Sequence, residues 1–247
     1  PQRRGDRRAI VPILLCGILG VAFYHVALNY GQQTVPAGVA AFLINTSPVF
    51  TALLARFFLK EKLLVWGWVG MLISVCGVTL LALREGKGFE FDSGAFIVVL
   101  AALSASIYTV RQKPLLEKYT ALEFTTYVAV AGSLCLMIFL PQCLREIGEA
   151  PLKINLAVIY MGLVPAAIGY VCWSYVLSQM PVSTAVSYMY VVPVVVMTMA
   201  WLFLNETPGR YALPGGALAL GGVILVQRHG RVPVNPKPET PNPNPIR

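Results

Sequence analysis

Glu61 sits in the stretch FFLKEKL, flanked by Lys60 and Lys62, with an apolar run on either side; Glu206 occupies the same setting in FLNETPGRY. A carboxylate at the junction of two apolar helices has two chemical uses. It can bind a coupling ion or part of a substrate. It can also accept hydrogen bonds from the free amides at the start of the next helix, where the helix dipole favours negative charge. A place at the edge of the runs, not at their centre, favours the second use, a structural turn for Glu61 and Glu206. Inside apolar runs ionisable groups are costly and mark functional candidates. Arg56 is near a run's end and can snorkel, and Glu123 stands at a run's start. His25 alone lies well inside, where its charge could change near neutral pH and relay a proton, a neutral packed imidazole being the plainer role. No Asp or Glu lies deep in a run, so no carboxylate proton or sodium site can be read.

The other groups able to shape a site are polar or aromatic: Tyr24, Asn29, Asn45, Tyr108, Tyr170, Trp173, Tyr188 and Tyr190. With His25 they make a candidate cavity of the usual kind, mainly apolar with a few placed polar groups. Such a lining suits a small, partly aromatic or amphipathic metabolite. Pro48 and Pro193 each remove a backbone donor and are expected to kink their helices, either to free carbonyls toward a cavity or simply for packing. Gly70 and Gly77, like Gly215 and Gly222, are seven residues apart and share one helix face. Small residues on one face let helices approach closely, within one chain or between two copies as a homodimer.

The elements that carry these residues follow from composition. Apolar residues make up 57% of the 247 and charged residues 12%, where soluble domains carry about 25% charged. This chain has too few charges to clothe a surface in water. Its net charge of +8 lies between apolar runs and forms no continuous basic face, which argues for membrane topology and against nucleic-acid binding. The lipid bilayer is the expected partner. The five cysteines are odd in number, form no CxxC pair and lie mostly in apolar runs, so neither a disulfide framework nor a metal site is expected. No cofactor motif occurs.

A bilayer core of about 30 Å needs roughly 20 apolar residues as helix. Eight stretches qualify, at about 10–30, 36–59, 63–83, 94–110, 123–141, 155–178, 182–204 and 211–227. They are apolar all round, which predicts helices and not barrel strands. Trp66 and Trp68 read as interfacial belt. Of the 19 Lys and Arg, fourteen fall on the side that holds the amino terminus and five on the other. The excess places both termini in the cytoplasm of an inner or plasma membrane. Residues 1–8 read as a cytoplasmic loop, and 229–247, rich in Pro and Asn, as a disordered cytoplasmic tail.

At an offset of 145 residues the chain matches itself without a gap over about sixty residues. Gly17 falls on Gly162, Pro36 on Pro181, Pro48 on Pro193, Glu61 on Glu206, Gly70 on Gly215 and Gly77 on Gly222. By the topology above, Glu61 is cytoplasmic and Glu206 external, so the unit is inserted twice in opposite directions. Inverted repeats are a recurrent architecture of secondary transporters, with the substrate site at the repeat interface. The first unit, 9–84, has three spans and the second, 94–228, has five.

The stretch after Pro36, the Pro48 motif, FFLKEKL and the spacing of Gly70 and Gly77 resemble the EamA domain of the drug/metabolite transporter superfamily. The resemblance recurs at PVSTAVSYMYVVPVVVMTMAWLFLNETPGRYALPGGALALGGVILV, and GAFIVVLAALSASIYTV is similar to the opening helix of a second unit. It covers about residues 9–228. It implies ten helices in two inverted five-helix units, hence two more helices ahead of Pro1, and export of metabolites or amino-acid-like or drug-like solutes by alternating access. Two rivals remain at this level. A non-transporting remnant or assembly partner would lack those two helices. An intramembrane enzyme would need a constellation such as HExxH, paired aspartates or a Ser–His pair, and the runs hold none. The expected fold is an all-α polytopic membrane protein of about eight helices in two inverted repeats, the first incomplete.

Overall fold

The computed structural model describes residues 7–35, 40, 43–82, 93–204 and 212–230, and all secondary structure there is helical apart from one isolated bridge residue. The chain opens with α1 (Arg7–Gly17), a π-helical segment (Ile18–Phe23) and α2 (Tyr24–Gly31). Next come α3 (Ser47–Phe58), α4 (Val65–Ala82) and α5 (Ser93–Gln112). Then α6 (Ala121–Leu136) runs through one 3-10 turn (Met137–Phe139) into α7 (Leu140–Glu149). After it, α8 (Leu152–Met161), a second π segment (Gly162–Ile168) and α9 (Gly169–Gln179) form another long rod. The last elements are α10 (Val182–Ser187), a 3-10 turn (Tyr188–Val191), α11 (Val192–Leu204) and α12 (Ala212–His229).

Ala9–Gly31, Ser93–Gln112, Ala121–Glu149 and Leu152–Gln179 are each long and apolar enough to cross a membrane, and Ser47–Phe58, Val65–Leu80 and Val182–Val195 are shorter apolar helices. The span expected to stop near residue 141 continues as helix to Glu149. Local chemistry sets several boundaries. Thr120 opens α6 with a capping box: its Oγ1 accepts from the Glu123 amide, and Glu123 Oε2 accepts from the Thr120 amide. Glu123 at the start of its span is therefore a cap. Lys60, at a φ of 55°, turns the chain out of α3.

Glycine decides the closest helix contact. A Cβ on Gly70 would stand 2.7 Å from the Gly222 carbonyl oxygen, and one on Gly77 would stand 2.6 Å from that of Gly215. The four glycines thus form one seam between α4 and α12, within a single chain. The glycine faces that suggested a dimer are occupied by each other.

The helix α5 is the centre of the bundle. It packs on α2, on α3 and on the first π segment. It buries Ser104, Ser106, Tyr108, Thr109 and Gln112 along with its alanines and valines. Buried hydroxyls must find partners. Ser104 Oγ donates to the Leu19 carbonyl (2.8 Å), and Ser106 Oγ donates to those of Ala102 (2.8 Å) and Ser47 (3.0 Å). The main core gathers Tyr108, Phe124, Leu177, Val186 and Tyr190.

Candidate functional site

The two π segments occupy the same place in the repeat, Ile18–Phe23 in one copy and Gly162–Ile168 in the other. A π segment adds a residue to the turn and rotates the side chains that follow, and such segments are frequent at functional sites. The second residues after them meet. His25 Nε2 and Tyr170 Oη are 3.3 Å apart, and the two positions are separated by 145 residues, the repeat offset itself. Tyr170 Oη also donates to the Gly20 carbonyl (3.2 Å).

Around this pair lies a small aromatic nest. The ring of Tyr24 meets His25 edge-on with centroids 5.0 Å apart, and Tyr108 lies 6.4 Å from Tyr170 and 6.5 Å from Phe124. Tyr108 is buried, and its hydroxyl has no hydrogen-bond partner; Ser174 is nearby, but its Oγ is already 3.0 Å from Thr125 Oγ1. Further along α5, Gln112 is fully buried with neither its amide nitrogen nor its amide oxygen paired. An unpaired buried polar group costs about 1–3 kcal/mol.

Four of the nine cavity candidates therefore come together: Tyr24, His25, Tyr108 and Tyr170. The others do not join them. Asn29 is exposed and donates to the His25 carbonyl within its own helix (2.8 Å). Tyr188 is 42% exposed, and Trp173 packs against the edge of the core. Asn45 and Tyr190 occupy equivalent positions at the helix breaks before α3 and α11, with Tyr190 fully buried and its hydroxyl unpartnered. Phe124, Ser104, Thr125, Ser174 and Gln112 escaped sequence reasoning. The single available signal was a run of small polar residues, SASIYTVRQ, inside an apolar span.

The expected kinks at Pro48 and Pro193 take another form. Pro48 is the second residue of α3, which begins after a turn, and its missing N–H would have had no intrahelical partner there. Pro193 instead is the second residue past the 3-10 turn Tyr188–Val191, inside a helical run that is continuous over residues 182–204, where the proline removes a donor at the junction of the two helix types.

Glu61 is a cap, but not of the helix that follows it. Its Oε1 accepts from the Val182 amide (2.7 Å), and its Oε2 accepts from the Ser183 amide (2.9 Å) and the Ser183 hydroxyl (2.7 Å). The carboxylate thus reaches from the first repeat to the opening of α10 in the second. Lys113 holds the other side of the same turn, its Nζ donating to the Leu177 and Met180 carbonyls at the end of α9. Burial pulls the Lys113 ammonium below the ordinary lysine range, and Glu61 and Glu117 oppose that pull. Glu206 lies outside the described residues. No group of three or more potential metal ligands occurs among the described residues.

Comparison with known proteins places this arrangement. The model of the EamA-like transporter family matches residues 1–83 and 92–228. An uncharacterized transporter, YdfC, of Bacillus subtilis is 39% identical over 224 residues, covering 91% of this chain and 73% of that protein. A probable terminal-alkyne amino-acid exporter of Streptantibioticus cattleyicolor is 37% identical over 227 residues, covering 92% and 76% respectively. A solved crystal structure superposes with a TM-score of 0.72 over 87% of this chain and 75% of its own, at 20% identity, which speaks to fold alone.

Proposed function

This chain belongs to the EamA-like transporter family, a multi-pass membrane transporter and not an enzyme, and from that premise we propose that it exports small organic solutes from the cytoplasm across the cell membrane. Both termini of the chain lie in the cytoplasm, as the distribution of Lys and Arg favours. The solute passes along α5, beside the contact of His25 with Tyr170, while the two repeats alternate around it. One observation carries the reading: the π segments of the two repeats bring equivalent residues into contact inside the bundle. Transporter sites built from inverted repeats lie at such interfaces. The exporter named among the relatives supports the direction and an amino-acid-like cargo. A cluster of tyrosines, one imidazole and unpaired polar atoms suits a solute that is largely apolar with a few hydrogen-bonding groups.

The test is mass spectrometry of the medium from cells expressing the protein, set against cells with Tyr170→Phe and with empty vector. Export predicts a small set of solutes enriched outside and depleted inside, with the enrichment reduced in the variant. Enrichment inside the cells would reverse the direction. An unchanged metabolite profile with folded protein in the membrane would leave a non-transporting assembly role.

A further inference from the structure

Between α1, α3 and α5 lies a partly open cavity of about 370 Å³ that the contact of His25 with Tyr170 does not occupy. Leu19, Leu54, Phe58 and Ile107 give it apolar walls, and the one charge in the lining is Arg111. No carboxylate lines it. Tyr108 lines it too, with its hydroxyl buried away from the opening. The volume falls within the range of small-molecule sites, about 300–1,000 Å³.

The imbalance of the lining selects a ligand. An apolar body replaces water against the leucine and phenylalanine walls, which is favourable in proportion to the area buried. A guanidinium binds planar carboxylates through paired N–H donors. A cation would meet Arg111 as the one charge, and a zwitterion would find no carboxylate in the lining to balance its ammonium. We propose that this cavity is a loading site for monoanionic apolar carboxylic acids, with the carboxylate on Arg111 and the hydrocarbon body along Leu19, Leu54 and Ile107. The inference rests on the export reading above for its role, because α1 begins, and α3 and α5 end, on the side assigned to the cytoplasm. It narrows the small organic solutes of that reading to acids that carry no balancing ammonium.

The test reads binding alone, so its failure is distinct from a failure of export. Radiolabelled 4-phenylbutyrate is titrated onto the purified protein in neutral phosphatidylcholine nanodiscs, with empty nanodiscs subtracted. The proposal expects one saturable site, weakened at least tenfold by Arg111→Gln and by Leu54→Trp, which fills the cavity. Unlabelled 4-phenylbutyrate should displace the label at least tenfold better than 4-phenylbutanol or 4-phenylbutylamine. Thermal melting confirms that each variant is folded, and Leu72→Trp, on the exposed face of α4, controls for an added indole. Equal competition by the alcohol, together with unchanged binding to Arg111→Gln, would reduce the cavity to an apolar crevice and overturn the proposal. So would displacement by phosphatidylglycerol added to the nanodiscs, which would assign the site to membrane lipid, and so would undiminished binding to a folded Leu54→Trp.

Discussion

The Ser74 hydroxyl donates to the carbonyl of Ala219 at 3.0 Å, and the two residues are 145 positions apart, so each is the other's counterpart in the repeat. Two equivalent residues can touch only where the pseudo-two-fold axis passes between them. His25 and Tyr170 satisfy the same condition. Two points define a line, and the axis therefore runs from the seam of α4 and α12 to the imidazole–phenol contact. At one point the axis is closed by glycines. At the other it is lined by groups able to exchange hydrogen bonds with a guest.

The contact at the second point should matter to turnover more than to folding. A neutral hydrogen bond contributes about 1 kcal/mol net, which is roughly five-fold in a rate. Tyr170→Phe is expected to lower export about that much. His25→Leu should lower it by a similar factor, and the double variant should fall no further than the worse single. Additive losses in a double-mutant cycle would show that the two side chains act separately.

The glycine seam predicts a sharp contrast between neighbours. A Cβ at Gly222 would press on the Gly70 carbonyl oxygen and on Ser74 Oγ, whereas Gly221 has no atom within 4 Å. Gly222→Ala should cost about 1–3 kcal/mol through overpacking and lower the melting temperature of the purified protein. Gly221→Ala should be neutral or slightly stabilising, since alanine favours helix by about 1 kcal/mol in water. Similar melting temperatures for the two variants would mean that the seam yields to an added methyl group.

The repeat and the two glycine faces were legible in the sequence, because Gly70, Gly77 and Glu61 are residue types whose spacing carries geometric meaning, but that the two faces meet each other was not. The partner of Glu61 was not. Its hydrogen bonds cross 121 and 122 residues of chain, and nothing local distinguishes an amide at Val65 from one at Val182. The first π segment, Ile18–Phe23, has no marker, and Pro165 inside the second, Gly162–Ile168, marks an interrupted helix without specifying a π turn. Nor did Ser104, Ser106 and Gln112 stand out, because small polar residues in apolar spans look alike until packing shows which are buried. Tyr188 and Asn29 were singled out by type, but they point away from the cluster because the 3-10 turn and the last turn of α2 expose them.

The prolines offer a test of helix start against kink. Pro48 is in the first turn of α3, where no backbone donor is needed. Pro48→Ala is expected to change stability by less than about 1 kcal/mol, as the new N–H meets no steric or bonding demand. Pro193→Ala restores an N–H where a 3-10 turn passes into α11 and should change stability no more than that. Melting temperatures near the parent's with export retained would fit helix starts. Retained stability with export lost would give the prolines a direct role in the path.

The clasp formed by Glu61 makes the most demanding prediction, because one carboxylate holds two amides and a hydroxyl of the other repeat. Hydrogen bonds to a charged group contribute about 1.5–3 kcal/mol each, reduced where water can replace them. Glu61 is only partly buried, so Glu61→Ala is expected to cost about 2–3 kcal/mol in all. Ser183→Ala removes one of the three bonds and should cost about 1 kcal/mol, with little added to the loss in Glu61→Ala, since its partner is already gone. Lys113→Met frees the Leu177 and Met180 carbonyls on the other side of the same turn and should destabilise by a further, nearly independent step. Because the clasp ties the repeats together at one edge of the bundle, its loss should also speed alkylation of a cysteine placed at Val182. Unchanged alkylation in Glu61→Ala, with only the melting temperature lowered, would make Glu61 a static brace and not a contact that opens during transport.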